Sequence, residues 1–362
     1  MELQSDVVGL RAQSSSFEEK ALAALGPCPE GIAEAWIDIE LPAVANRDDA
    51  WTSRALAVYP TTPSSSPSSL VVMLHGGEFL SGSIKQLVMP ARAYALRFGA
   101  VVVCPSYQLG PEKPFPAPVH TAYRAAAWIS DVDNLYCAVP ELQDAGIVVD
   151  PVHGSFVLYG IGVAGGNLAA VIAGVLAATP ETQEVLLRNG GGLPRFRAPF
   201  TGLFVDSPLI TTDESVPSKY MPLLRSRFGQ NDTPPSPSTP SLHRILELYA
   251  PNVYSPWFSP LMLDDGYGGT ELVTANHVRK VFIQAYSEDC LRDNAAIYRD
   301  WLASSGITDV RLSMVDAHGH GGWDTTTPKN HRKELKETSL EGMSWLLGKE
   351  YDESRDNADG LY

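Results

Sequence analysis

Four stretches of this chain carry residue types that could move a proton or steady a negative charge. Residues 316–324 read D-A-H-G-H-G-G-W-D and set two imidazoles, His318 and His320, in a glycine-rich loop after the apolar run at 310–315. Residues 286–293, Y-S-E-D-C-L-R-D, supply Asp289, Cys290 and Asp293 after the run at 281–285, and H-G-G-E-F at 75–79 follows the run at 70–74. The fourth, residues 155–169, reads S-F-V-L-Y-G-I-G-V-A-G-G-N-L-A. An imidazole is suited to taking and returning a proton near neutral pH, a neighbouring carboxylate orients it, and backbone N–H groups in a glycine turn can hold an oxygen as negative charge grows on it. Read alone, either aspartate is also an ordinary helix-start residue.

Such residues need elements to hold them. In the fourth stretch, residues 156–159 have the length and apolarity of a strand, Gly160 and Gly162 interrupt it, and 168–178 read as a helix filled with Ala, Val, Ile and Leu. Further strands are expected at 55–59, 70–74, 100–104, 200–205, 281–285 and 310–315, and helices at 17–25, 91–98, 120–132, 220–228, 242–248, 295–304 and 334–347. The region from 26 to 46 shows no persistent period. Strands alternating with helices point to an α/β protein with a mostly parallel sheet.

Residues 161–167, I-G-V-A-G-G-N, resemble the G-D-S-A-G-G-N turn of hormone-sensitive-lipase-like carboxylesterases, a branch of the alpha/beta-hydrolase superfamily. H-G-G-E-F is similar to that family's H-G-G-G-F, and S-Y-Q-L-G-P-E-K-P-F-P-A at 106–117 is similar to its S-Y-R-L-A-P-E-x-x-F-P-A. The resemblance implies an alpha/beta-hydrolase fold with a helical cap. It assigns the catalytic acid to Asp289 and the histidine to His320, with His318 as the alternative register. It assigns oxyanion donors to the N–H groups of Gly76, Gly77 and Ala164, and the former nucleophile position to Val163. Glu78 stands where the family has a third glycine; it is expected to face outward or towards the cap, the alternative being an added acid or base.

Valine has no lone pair and no ionisable proton, so no acyl-enzyme can form at Val163. The turn also demands a left-handed backbone that a β-branched residue tolerates poorly, which leaves either Val163 strained or Gly162 absorbing the strain. What survives is an acid–base dyad beside an oxyanion pocket. The function expected is a cofactor-independent lyase or isomerase, of cyclase or dehydratase type, acting on a mid-sized apolar carbonyl-containing specialised metabolite. A catalytically inactive small-molecule binding protein and a residual hydrolase using histidine-activated water are the alternatives. Cys290 as a replacement nucleophile is weighed against a packing role, and Ser207 is not assigned one.

The remaining composition bounds the partners. A formal charge of −15 and a pI near 4.9 argue against nonspecific nucleic-acid binding and attachment to an anionic membrane. Cys28, Cys104, Cys137 and Cys290 form no C-x-x-C pair and read as structural thiols. No metal cluster and no cofactor site is expected; the expected partners are an apolar small molecule and a second copy of the chain as a homodimer, with no integral membrane segment and a cytoplasmic setting. The layout expected is an N-terminal cap region at 1–50, a core at 51–210, a cap insertion at 211–265, the rest of the core at 266–350 and a flexible acidic tail at 351–362. Tyr249, Tyr254, Trp257 and Phe258 are expected chiefly to pack the cap rather than line a pocket.

Overall fold

The structure is a computed structural model that describes residues 2–44, 50–229, 238–263, 277–307 and 309–350. The acidic tail at 351–362 and most of the proline-rich loop at 231–240 lie outside the described residues. Eight strands, β1 (Ile32–Leu41), β2 (Trp51–Pro60), β3 (Leu70–Leu74), β4 (Val101–Pro105), β5 (Phe156–Ile161), β6 (Gly202–Asp206), β7 (Lys280–Tyr286) and β8 (Asp309–Val315), form one sheet. Their order is β1-β2-β4-β3-β5-β6-β7-β8. β2 runs antiparallel to both its neighbours, and β3 to β8 are mutually parallel.

The parallel strands β3 to β6 are buried along their whole length because both faces of the sheet are covered there, whereas the edge strand β8, D-V-R-L-S-M-V, is mostly exposed or half-buried. In β3, Leu70, Val72 and Leu74 join one core while Val71 and Met73 join the other. The helices Gly162–Ala177, Ala117–Ile129 and Arg292–Ser304 bury their apolar faces in the first core, and Val88–Phe98 and Arg332–Leu347 do so in the second. Each expected strand is present, within about two residues of its expected ends except β2, which begins four residues earlier than expected.

One strand escapes the sequence reading. The N-terminal helix spans Glu2–Leu25, and Ile32–Leu41 then pairs along its whole length with β2. Ile37, Ile39 and Leu41 turn inwards while Asp38 and Glu40 face solvent, so the period-two signal lay in W-I-D-I-E-L. The expected cap region at 1–50 is corrected accordingly: its second half belongs to the sheet. The helix expected at 220–228 is instead a 3-10 turn, Met221–Leu223, followed by the short helix Ser226–Gly229.

The strand order reverses direction at β3, with β4 on one side and β5 on the other, so the loops leaving β3 and β5 open a crevice at the C-terminal edge. H-G-G-E-F leaves β3 there and the glycine turn leaves β5 beside it. The loops after β7 and β8 bring Asp289 and the histidines to the same edge.

Candidate active site

At the end of β5 the chain turns directly into the helix Gly162–Ala177, and Gly162 takes the left-handed backbone with φ +71. Val163 lies inside the helix, 1% exposed, and carries none of that strain. A Cβ placed on Gly162 would stand 3.7 Å from His320 Nε2 and 3.5 Å from Gly76 Cα. The residue at the apex opposite the imidazole is thus Gly162, one position before the Val163 assigned from the motif, and Val163 lines the cavity beyond it. Gly160 is required by close approach: a Cβ there would sit 1.9 Å from Gly165 O.

His320 Nδ1 lies 2.9 Å from Asp289 Oδ2, and Asp289 Oδ1 accepts from the N–H of Leu291 at 2.8 Å. Asp289 is 1% exposed and His320 14%. Burial alone would depress the imidazole, but the charge and hydrogen bond of Asp289, helped by Glu78 and Asp206, offset it, and the group titrates above an ordinary histidine. His318 shares a cavity of about 370 Å³ with His320 but is held by other partners. Its Nε2 meets Glu334 at 3.0 Å, and its ring packs edge-on against His331. Among the described residues no hydroxyl or thiol hydrogen-bonds His320 Nε2. Cys290 is fully buried and lines neither cavity beside the histidine loop. Asp293 accepts from the N–H groups of Arg225 and Ser226, tying the loop after β6 to the acid loop.

The H-G-G-E-F loop departs from its expected use. Gly76 N–H donates to Gln86 Oε1 at 3.1 Å and is not available to an anion, which corrects its assignment as a donor. Among the described residues no protein acceptor meets the N–H of Gly77 or of Glu78, and Ala164 lies in the first helical turn, where N–H groups lack an intrahelical acceptor. His75 is buried, which pulls it down to about 4; the neutral ring stacks on Tyr107 at 4.3 Å and closes the back of the loop. Glu78 adopts φ +60, which costs a non-glycine residue roughly 1–2 kcal/mol. Its side chain lines the cavity under the N-terminal helix, and burial raises its carboxyl above the usual range while His320 draws it partly back.

That cavity, about 380 Å³, is bounded by Leu10 and Phe17 of the N-terminal helix, by Gly77, Glu78 and Val163, and by His320. The helix is pinned over it. Arg11 donates to Leu80 O, Gly110 O and Glu112, while Glu18 accepts from Ser83 and from Gln86 Nε2, so the same amide that holds Gly76 also holds the cap. Tyr249 stacks on Phe79 at 4.0 Å; Trp257 and Phe258 are buried as well, and Tyr254 is exposed.

Asp206, at the start of D-S-P, has in sequence the character of an ordinary turn residue. It is fully buried at the end of β6, and its carboxyl is pushed up to about 8 by burial, partly offset by bonds from Tyr286 and Ser207 and by the charge of His320. Gln284 donates to Tyr286 OH at 2.6 Å, Tyr286 donates to Asp206 at 3.1 Å, and the Ser207 hydroxyl reaches both Asp206 and Gly321 O. This network supports the histidine loop from beneath. Nothing in D-S-P distinguishes such an aspartate from a solvated one; only the strand pairing places it there.

Among the described residues no group of three or more His, Cys, Asp or Glu could hold a metal ion, and no helix is long and apolar enough to cross a membrane. A family model described as alpha/beta hydrolase fold matches residues 71–323. Esterase LipI of Mycobacterium tuberculosis is 26% identical over 278 residues, covering 74% of this chain and 71% of the relative. Among solved structures, vibralactone cyclase superposes with a TM-score of 0.70 at 21% identity, covering 94% of this chain and 89% of the other. The carboxylesterase EstE1, cloned from a metagenomic library, gives 0.63 at 22% identity, covering 93% and 97%.

Proposed function

Because the chain belongs to the alpha/beta hydrolase fold family, yet has a glycine at the apex of the turn where a nucleophile would face the histidine, we propose that it catalyses proton transfer without a covalent enzyme intermediate. The reaction is of lyase or isomerase type, a ring closure or an elimination, on a mid-sized apolar compound with a carbonyl group. His320, held by Asp289, takes a proton from the substrate and returns it. The N–H groups of Gly77 and Glu78 receive the carbonyl oxygen as it gains charge.

The observation that carries this reading is the missing side chain at Gly162, whose Cβ position lies 3.7 Å from the Nε2 of an imidazole oriented by Asp289. A nucleophile, if the reaction uses one, must come from the substrate. That the fold accommodates a protein described as a cyclase adds support, at an identity where likeness speaks for the fold alone.

The test is turnover of a cell-metabolite extract by the purified protein, followed by mass spectrometry, with His320→Ala and Asp289→Asn alongside and p-nitrophenyl esters as control. Conversion of a carbonyl compound without change of elemental composition, or with loss of water, lost in both variants, is the expected result. Ester hydrolysis lost in both variants would replace it with the second reading, in which a water above Gly162 is activated by His320. A ligand retained but unchanged by the protein would make it a binder.

A further inference from the structure

We propose that Glu78 is the proton donor that complements His320, which makes the substrate a β-hydroxy carbonyl compound and the reaction its dehydration; this rests on the proton-transfer reading of His320. Three observations meet at this residue. Its side chain lines the same cavity as His320. Its backbone is held at φ +60, a conformation that glycine adopts freely and glutamate does not. Burial and His320 act on its carboxyl in opposite senses, so the two groups lie within electrostatic reach of each other across the cavity.

Among the described residues of the helix above, Arg11 is engaged with Leu80 O, Gly110 O and Glu112, Glu18 with Ser14, Ser83 and Gln86, and Glu19 with Lys85. His320 is therefore the charged group that Glu78 answers to. A solvated glutamate would gain nothing from a strained backbone. A glutamate held at that cost on the cavity that His320 also lines is placed to give up a proton.

The step balances as follows. His320 Nε2 takes the proton from the carbon beside the carbonyl, and the electron pair of that C–H bond forms an enolate whose oxygen rests on the N–H groups of Gly77 and Glu78. The pair then closes a C=C bond, the bond to the β-hydroxyl breaks, and the departing oxygen takes the Glu78 proton and leaves as water. The imidazolium returns its proton to the Glu78 carboxylate. One β-hydroxy carbonyl compound becomes one enone and one water, with no co-reactant.

The probe is 4-hydroxy-4-phenylbutan-2-one, whose dehydration product is a conjugated enone followed by its ultraviolet absorbance. Expected with the intact protein is enone formation with a two-limbed pH profile. Glu78→Gln lowers kcat about 100-fold and leaves a single limb, because the amide neither donates the proton nor titrates. Glu78→Gly shows the same loss with a Tm raised on the order of 1–2 °C, since the strain is relieved. A Glu78→Gln variant with unchanged rate and both limbs overturns the role of Glu78, as does a wild-type protein that forms no enone. Should His320→Ala retain the wild-type rate, the proton-transfer reading itself falls, whatever Glu78 does.

Discussion

The turn after β5 and the loop after β8 face each other across one cavity and have kept opposite things. The turn retains its backbone, with the left-handed residue at its apex, the close approach of Gly160 to Gly165 and the helix launched from the strand end, but has no reacting atom there. The histidine loop retains its side-chain chemistry, with His320 on a buried aspartate and a supporting network from Asp206 to Gln284. Losing a nucleophile costs a fold nothing when glycine relieves the strain, whereas a buried imidazole–carboxylate pair is costly to leave half made. The proposal of noncovalent proton transfer rests on that pair standing opposite a turn with no nucleophile.

The sharpest way to break this comparison is at the histidines. His320→Ala should lower turnover by about 10²–10⁴-fold, and His318→Ala should leave it close to wild type, because the buried Asp289 holds His320 whereas His318 pairs with the exposed Glu334. Steady-state rates on the compound identified from the extract decide this. Equal losses at both residues would remove the distinction drawn from their partners.

The turn can be tested by restoring what it lacks. Gly162→Ser should acquire a stoichiometric adduct with a fluorophosphonate probe, seen by intact mass, since its Cβ would stand 3.7 Å from His320 Nε2. Val163→Ser should not be labelled. The reverse result would return the nucleophile position to Val163.

The network beneath the histidine loop gives a pH signature. Asp206 holds its proton to about 8 in the folded protein and to the ordinary 3.8 when unfolded. The folded state therefore binds more protons between these values, and stability from this group is complete below 3.8 and drains as pH rises through about 8. Thermal melts should show the wild-type Tm falling from about pH 4 to about pH 8 and levelling off above it, and Asp206→Asn, which keeps an acceptor for Tyr286, falling less.

The smallest expected effect is at Gln86, whose amide binds both Gly76 N–H and Glu18. Gln86→Ala should cost about 1–3 kcal/mol in urea unfolding by stranding a half-buried donor. It should also loosen the N-terminal helix, read as faster proteolysis between that helix and β1.

Much of this architecture was legible before any coordinates. Apolar runs of strand length, buried on both faces, announce themselves in sequence, and so do H-G-G-E-F and the glycine turn that follow two of them. The edge strand β1 was harder to read, because Ile32–Ala35 blur the alternation that Ile37, Ile39 and Leu41 display, and its order comes from pairing with β2. That no side chain at 161–167 can attack a carbonyl was decided by residue identity alone, for no folding adds a lone pair to glycine or valine. Which of those residues stands opposite His320, that Gly76 is already engaged by Gln86, that Asp206 is buried and that Glu78 lines the cavity under the N-terminal helix were all decided in three dimensions. The physical reason is the same for each: a bond, a burial or an approach between segments distant in the chain depends on where the sheet edge brings their loops, and local composition does not encode that distance.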